Sequence, residues 1–276
     1  FGSVLTAIGL LYWVVGALLL WWTVRGAHTL KLKVGLGLLV VAIFAAGPGL
    51  TAYRRAQAQH AAQARFAAAK ARFDMRCKEA GEIITRTVDG VEGVMMINLR
   101  PENVDRSDQF KLSDPYGRNC AGGDDCIAGY LFDYKMVPTA YGSLEPYTPR
   151  VYQFVDFVDV DGQRYRYTKD SANGRLKRSA TSEPAPRYGV VWADISTRAD
   201  RELWIAGGSI KVVDLAIGEV IAERKGYLMD PGQGNLGGGR IPWSWAGAYG
   251  PSCPSLAGHN VTFVSKIINP VMRLQP

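Results

Sequence analysis

VYQFVDFVDVDGQRYRYT, residues 151–168, is the stretch on which the fold of this chain turns. Apolar and polar residues alternate on parts of both sides of Asp161-Gly162. A period of two places successive side chains on opposite faces of a strand. Asp-Gly supplies the positive φ angles of a tight type I′ turn. The segment therefore predicts strands at 151–160 and 163–168, closed by a hairpin turn.

Further β runs flank it. Residues 87–99 hold the apolar run 94–97, and strands are expected at 130–137, 188–195, 202–205, 209–215, 219–228 and 260–268. Ala216-Ile217-Gly218 reads as a second hairpin turn. Residues 101–126, 141–149, 169–186 and 230–258 carry the Pro, Gly and polar side chains of connections. No long helical pattern recurs between the strands, which argues against a doubly wound α/β fold. The expectation for 85–276 is a mainly antiparallel β domain, either a sandwich or a bent sheet.

The N-terminal third is different. Residues 4–23, VLTAIGLLYWVVGALLLWWT, carry no charge and close on Trp21 and Trp22. At about 1.5 Å rise per residue, twenty residues span roughly 30 Å, the thickness of a bilayer core. Residues 34–50 form a second uncharged run, interrupted near its end by Gly47-Pro48-Gly49. The FGS ahead of the first run lacks the basic start of a signal peptide, and the run is too long for one. Two transmembrane helices joined by a loop at 24–33 are expected.

Residues 52–84 then favour helix, being rich in Ala, Gln, Arg and Lys with no Pro. Phe66, Phe73, Cys77, Ala80 and Ile84 fall on one helical stripe. Arg54, Arg55, Arg65, Lys70 and Arg72 supply a basic face suited to anionic headgroups. The same residues also suit a solvated helix that packs its apolar stripe on its own domain.

Charge follows the same division. Residues 1–82 hold ten Lys/Arg against three Asp/Glu, which accounts for the whole net charge of +7. The remainder is neutral, whereas a nucleic-acid-binding domain needs a net basic face. No nucleic-acid partner is expected.

Basic residues count three in the 24–33 loop and four just after the second run, so charge alone does not orient the spans. The cysteines do. Cys77, Cys120, Cys126 and Cys253 all follow the apolar runs. An even count in an otherwise Cys-poor domain fits two disulfides in an oxidising compartment. Gly and Asp in RNCAGGDDC let Cys120 and Cys126 meet, which would leave Cys77 for Cys253. All three connectivities stay open, with free thiols and a metal site as the competing readings. Zinc fits poorly, because the closest spacing is five intervening residues.

Candidate chemistry is sparse. Asp156, Asp159 and Asp161 lack an EF-hand register and are expected on the exposed face of the hairpin. Asp124-Asp125 reads as a solvated loop tip. His259 has no nominated nucleophile beside it. GQGNLGGGR (232–240) could cradle an anion through peptide N–H groups, yet lacks a P-loop ending. Arg240 closes it, Trp243, Trp245 and Tyr249 follow, and Arg with aromatics is the composition of binding hot spots. The same residues also suit packing beneath a long loop.

These readings describe an α+β membrane protein. Two transmembrane helices (1–51) lead into a basic stalk helix (52–84) and a β domain (85–276). The expected location is the inner membrane, two-pass, with the large domain in the periplasm. The expected role is non-enzymatic, without cofactor or metal: the domain binds another protein, as immunity-type protection or as a subunit of an envelope assembly. The bilayer is the other partner. A cytoplasm-facing membrane sensor is the alternative if the orientation is reversed. An envelope enzyme acting on lipid or cell-wall material, with its site in the 230–260 region, is the remaining one.

Overall fold

A computed structural model describes residues 2–26, 29–102, 105–117, 120, 122–132, 151–170, 174–255 and 260–271. The chain forms two compact units, 1–65 and 66–276.

The first unit holds helix α1 (Gly2–Gly26) and most of helix α2 (Leu30–Cys77). α2 is long and apolar enough to cross a membrane, and α1 carries a shorter apolar stretch, Leu11–Thr23. The two helices meet where Gly16 leaves room for the Phe44 ring. A Cβ at position 16 would lie 2.8 Å from that ring. Beside it, the Tyr12 hydroxyl donates to the Phe44 carbonyl at 2.8 Å. Pro48 lies inside α2, and the Thr51 hydroxyl donates to its carbonyl. Among the described residues, many apolar side chains of the two helices stay uncovered: Trp13 is 57% exposed, Trp22 71% and Leu38 65%.

In the second unit, the end of α2 leads into a nine-stranded mixed sheet. The strands of the unit, in the large sheet and in a separate pair, are β1 (Gly81–Ile84), β2 (Val88–Val91), β3 (Gly93–Met96), β4 (Phe154–Val158), β5 (Arg164–Lys169), β6 (Leu176–Ala180), β7 (Tyr188–Asp194), β8 (Ile205–Asp214), β9 (Glu219–Met229), β10 (Ser252–Cys253) and β11 (Ile268–Pro270). The sheet order is β1-β9-β8-β7-β3-β4-β5-β6, with β10 on β9; β2 and β11 pair separately. Most pairings are antiparallel, but β3 runs parallel to both β4 and β7.

Helices α3 (Asp124–Leu131) and α6 (Asn260–Ile267) close the main core. Ile127, Tyr130 and Leu131 of α3 join Phe263, Val264 and Ile267 of α6 over Val94, Val155, Val190, Ile210 and Val212 of the sheet. Burying each such side chain contributes about 1.5–3 kcal/mol. By register, Ala206 and Leu228 share that face; they meet Leu112, Tyr116, Trp204, Trp243 and Ala246. Gly208 and Gly226, paired across β8 and β9, open a slot there for Asp114 and Tyr116. The opposite face at this end receives Ala69 and Phe73 of α2 against Ile205, Tyr227 and Met229.

Several expectations change. The mainly antiparallel sheet expected for 85–276 is found, but among the described residues it is one large sheet with helices on it and a separate β2–β11 pair, not a sandwich. The 151–168 hairpin forms, but its turn is not type I′. Gly162 has φ +79° and Asp161 is not in the left-handed region. The Gly162 N–H donates to the Asp159 carbonyl, and the Asp159 N–H to the Gln163 carbonyl. This is a three-residue loop with glycine in the left-handed position. The second hairpin turn closes as expected, with the Gly218 N–H donating to the Asp214 carbonyl at 2.8 Å.

The stalk helix stops at Cys77 rather than 84, because Gly81 takes φ +148° and starts β1. The strand expected at 130–137 begins inside α3, and 133–137 lie outside the described residues, as do 141–149. The tail strand at 260–268 is mostly α6. Its buried residues Phe263, Val264, Ile267 and Ile268 keep a helical spacing that β-branched composition masked. Residues 202–205 are split: Glu202 ends helix α4 (Arg198–Glu202), and Ile205 opens β8. The polar segment 169–186 contains β6, an exposed strand at the sheet's edge. Residues 230–258 contain helix α5 (Pro242–Tyr249).

Candidate binding surface

Helix α5 starts with Pro242 at its first position, where a missing N–H costs nothing. It divides the aromatics expected to act together. Trp243 turns inward and is 3% exposed. Its indole N–H donates to the Asp108 carbonyl at 3.0 Å, and its ring lies 5.3 Å from that of Trp204. The Arg201 guanidinium stacks at 5.3 Å from the Trp243 ring. Trp243 is therefore part of the core, which corrects its expected place in a binding surface.

Trp245 and Tyr249, one helical turn apart, pair outward with ring centroids 4.8 Å apart. Trp245 is 48% exposed and Tyr249 70%. Leu236 and Ile241 beside them in sequence are also exposed. Composition did not flag these two, though an apolar residue directly before a helix-starting Pro was a usable signal.

Arg240 stacks 5.5 Å from the Trp245 ring while its guanidinium is bonded to Asp230. Burial draws its pKa down. Asp230 is fully buried and also accepts from the peptide N–H groups of Gly232 (3.0 Å) and Gly234 (2.8 Å). The glycine-rich loop does cradle an anion, and that anion is the chain's own carboxylate. The loop is thereby held, and it presents Arg240 to Trp245 in one geometry.

The same device recurs. Asp114, Asp156, Asp200, Asp214 and Asp230 have no exposed surface, and each is bonded to arginine. A buried carboxylate without such a partner would be costly. Asp156 pairs with Arg166 at 2.7 Å, so it is not on an exposed face as expected. Asp159 pairs with Arg178, and Asp161 accepts from the Tyr165 hydroxyl. Asp124 and Asp125 form the exposed first turn of α3. Among the described residues, no three His, Cys, Asp or Glu side chains group as metal ligands. His259 lies outside the described residues.

Two of these carboxylates are moved in opposite directions. At Asp200 burial pushes the pKa up. Bonds from Arg76, Thr197 and Arg72 outweigh it and leave about 2. At Asp114 burial wins over Arg100 and the Gly117 N–H, and the pKa rises to about 6.

The expected basic face is divided as well. Arg54, Arg55 and Arg65 are exposed along α2. Lys70 bonds Asp74 at 2.6 Å. Arg72 is instead engaged in the folded unit, 2.5 Å from Asp200, with Arg76 beside it at 3.0 Å. The four cysteines form the pairs Cys77–Cys253 and Cys120–Cys126. No protein-family model, curated protein or solved structure matches this chain.

Proposed function

We propose that this is a non-enzymatic, membrane-anchored envelope protein whose β-rich domain binds another protein through α5. The carrying observation is the outward Trp245–Tyr249 pair, backed by an Arg240 that Asp230 holds in place. Rigid aromatics with an ordered arginine lose little freedom on binding. Exposed Leu236 and Ile241 extend the surface.

The anchor is a two-pass hairpin of α1 and α2 in the inner membrane. Its support is the uncovered Trp13, Leu18, Trp22 and Leu38, which are costly in water and stable in lipid. The two cysteine pairs support a periplasmic placement of the domain. Immunity-type protection and membership of an envelope assembly are the two roles such a protein would serve.

Binding is tested with a photo-crosslinking amino acid placed at Tyr249 in the full chain in cells, with Glu219 as the control position. A discrete adduct from 249, absent from 219 and lost with Trp245→Ala, is expected. No adduct from 249 overturns the binding role of α5. Placement is tested with a membrane-impermeant thiol tag. Labelling of cells with an opened outer envelope, only after reduction, is expected. Labelling only after lysis, without reduction, reverses the orientation and leaves a cytoplasm-facing sensor.

A further inference from the structure

Residues 1–73 contain eight Lys or Arg and no Asp or Glu; Asp74 is the first carboxylate of the chain. Lys70 and Arg72 find their acids beyond that point, at Asp74 and Asp200. Arg25, Lys31 and Lys33 stand within nine consecutive residues at the end of α1 and the start of α2. Among the described residues, no carboxylate pairs with these three. In water such charges are solvated. At a bilayer surface the nearest anions are lipid phosphates.

The packing of the two helices fixes the level of these cations. Gly16 meets Phe44, and Tyr12 approaches Gly47, so α1 and α2 run antiparallel. Arg25 lies nine residues on from Gly16, and Gly35 nine residues back from Phe44. At about 1.5 Å per residue, Lys33 thus stands only about 3 Å beyond Arg25 along the axis. An open groove of about 380 Å³ leads to the same level along α1, lined by Val15, Leu18, Leu19, Trp21 and Trp22. It covers roughly 10 Å of the helix. The Arg25 guanidinium stacks 5.1 Å from the Trp21 ring, so cation, indole and apolar groove are contiguous. Indole rings favour the headgroup level, which sets the groove at acyl-chain depth and Arg25 just outside it.

We infer that this end of the helix pair binds one anionic phospholipid. An acyl chain lies in the groove from Val15 to Trp22, and the phosphodiester bonds Arg25, with Lys31 and Lys33 beside it. The inference rests on the proposed reading of α1 and α2 as a membrane hairpin. A guanidinium matches two phosphate oxygens at once, and the two ammonium groups add point charges. The same ammonium groups oppose the cationic head of a zwitterionic lipid, which makes the site selective for net negative charge. A second copy of this chain is a poor occupant of the groove. Inserted in the same orientation, it brings its own Arg25, Lys31 and Lys33 to the same depth, and like charges repel.

The test uses the full chain in detergent micelles and counts bound lipids by native mass spectrometry. The probes are phosphatidylglycerol and phosphatidylcholine with the same acyl chains, and inorganic phosphate. One phosphatidylglycerol is expected to bind at least about fivefold more tightly than phosphatidylcholine. Arg25→Gln with Lys33→Gln should abolish that preference. Leu18→Trp, which fills the groove, should weaken both lipids. Arg54→Gln with Arg55→Gln, at the far end of the apolar run of α2, should leave the preference in place. Its loss there too overturns the site, because only the overall charge of the chain would be read. Equal binding of the two lipids by the unaltered chain overturns the anionic ligand. Displacement of phosphatidylglycerol by excess inorganic phosphate overturns the acyl-chain groove and leaves a free-phosphate site. A high-pH wash of cell membranes keeps the underlying reading separate. Release of the chain by that wash overturns the hairpin itself; retention without lipid preference overturns only the lipid site.

Discussion

Cys77 and Cys253 stand 176 positions apart in sequence and 5.5 Å apart at their Cα atoms, joined by a disulfide. The bond ties the last residue of α2 to β10, the strand that follows α5. Closing so long a loop restricts the unfolded chain, by loop-closure entropy, by up to about 5 kcal/mol, against about 2 kcal/mol for a loop of six. Replacing both residues of Cys77–Cys253 by Ser should therefore lower stability by about 2–5 kcal/mol. The matching Cys120/Cys126 double variant should lose less. Thermal unfolding of the full chain under oxidising conditions compares the two, and an equal loss would contradict the loop-length account.

Asp200 links α2 to the start of α4. Its carboxylate takes Arg72 and Arg76 and also accepts from the Thr197 N–H at 2.9 Å. Removing one side of a buried ion pair leaves the other uncompensated. Asp200→Ala should cost about 3–5 kcal/mol, read by chemical denaturation. The folded-state pKa lies below the ordinary carboxylate value, at about 2. Its stabilisation is thus present above about pH 4 and lost as pH falls toward 2. After solvent screening of the arginines is allowed for, that loss is of order 1–2 kcal/mol. The acid-side slope of stability should flatten in the variant.

Asp114 has the opposite sign. Its pKa rises from 3.8 to about 6, so between these values the folded state holds a proton that the unfolded state has released. Raising pH through this window destabilises the fold, by about 3 kcal/mol in total. Asp114→Asn should remove that slope and leave the variant less sensitive to pH between 4 and 6. It should not restore full stability, because the buried Arg100 then loses its counter-charge. Stability measured at pH 4, 5, 6 and 7 separates the two effects.

Trp243 and Trp245 should differ sharply although one residue lies between them. Trp243→Ala empties a packed site beside Trp204 and strands its Asp108 hydrogen bond, at about 3–5 kcal/mol. Trp245→Ala and Tyr249→Ala, both on exposed side chains, should change stability by less than about 1 kcal/mol. Denaturant midpoints check this, and comparable losses at 243 and 245 would place Trp245 in the core.

Much of the architecture is legible in the sequence. The 151–168 hairpin and the β8–β9 hairpin followed from alternation around Gly-containing turns. The run from 34–50 into the Ala-rich segment was readable as continuous helix, since nothing but Pro48 interrupts it and α2 accommodates that residue. Helices α3, α5 and α6 were missed for one reason. Each is eight residues long, about two turns, too short for a 3.6-residue period to stand out against β-branched and aromatic composition. β6 was missed because an edge strand with an exposed surface need not alternate.

Sequence by itself determined the apolar N-terminal third, the neutral β-rich remainder, the hairpin turns and the number of cysteines available for pairing. These depend on local composition and spacing. Tertiary structure decided which cysteines pair and that β3 runs parallel to its neighbours. It also turned Trp243 inward and Trp245 outward, and it supplied each buried aspartate with its arginine. Those partners lie up to 128 positions apart, as Arg72 and Asp200 do. Pairings at that range are selected by the shared burial of whole elements, which no local window of sequence contains.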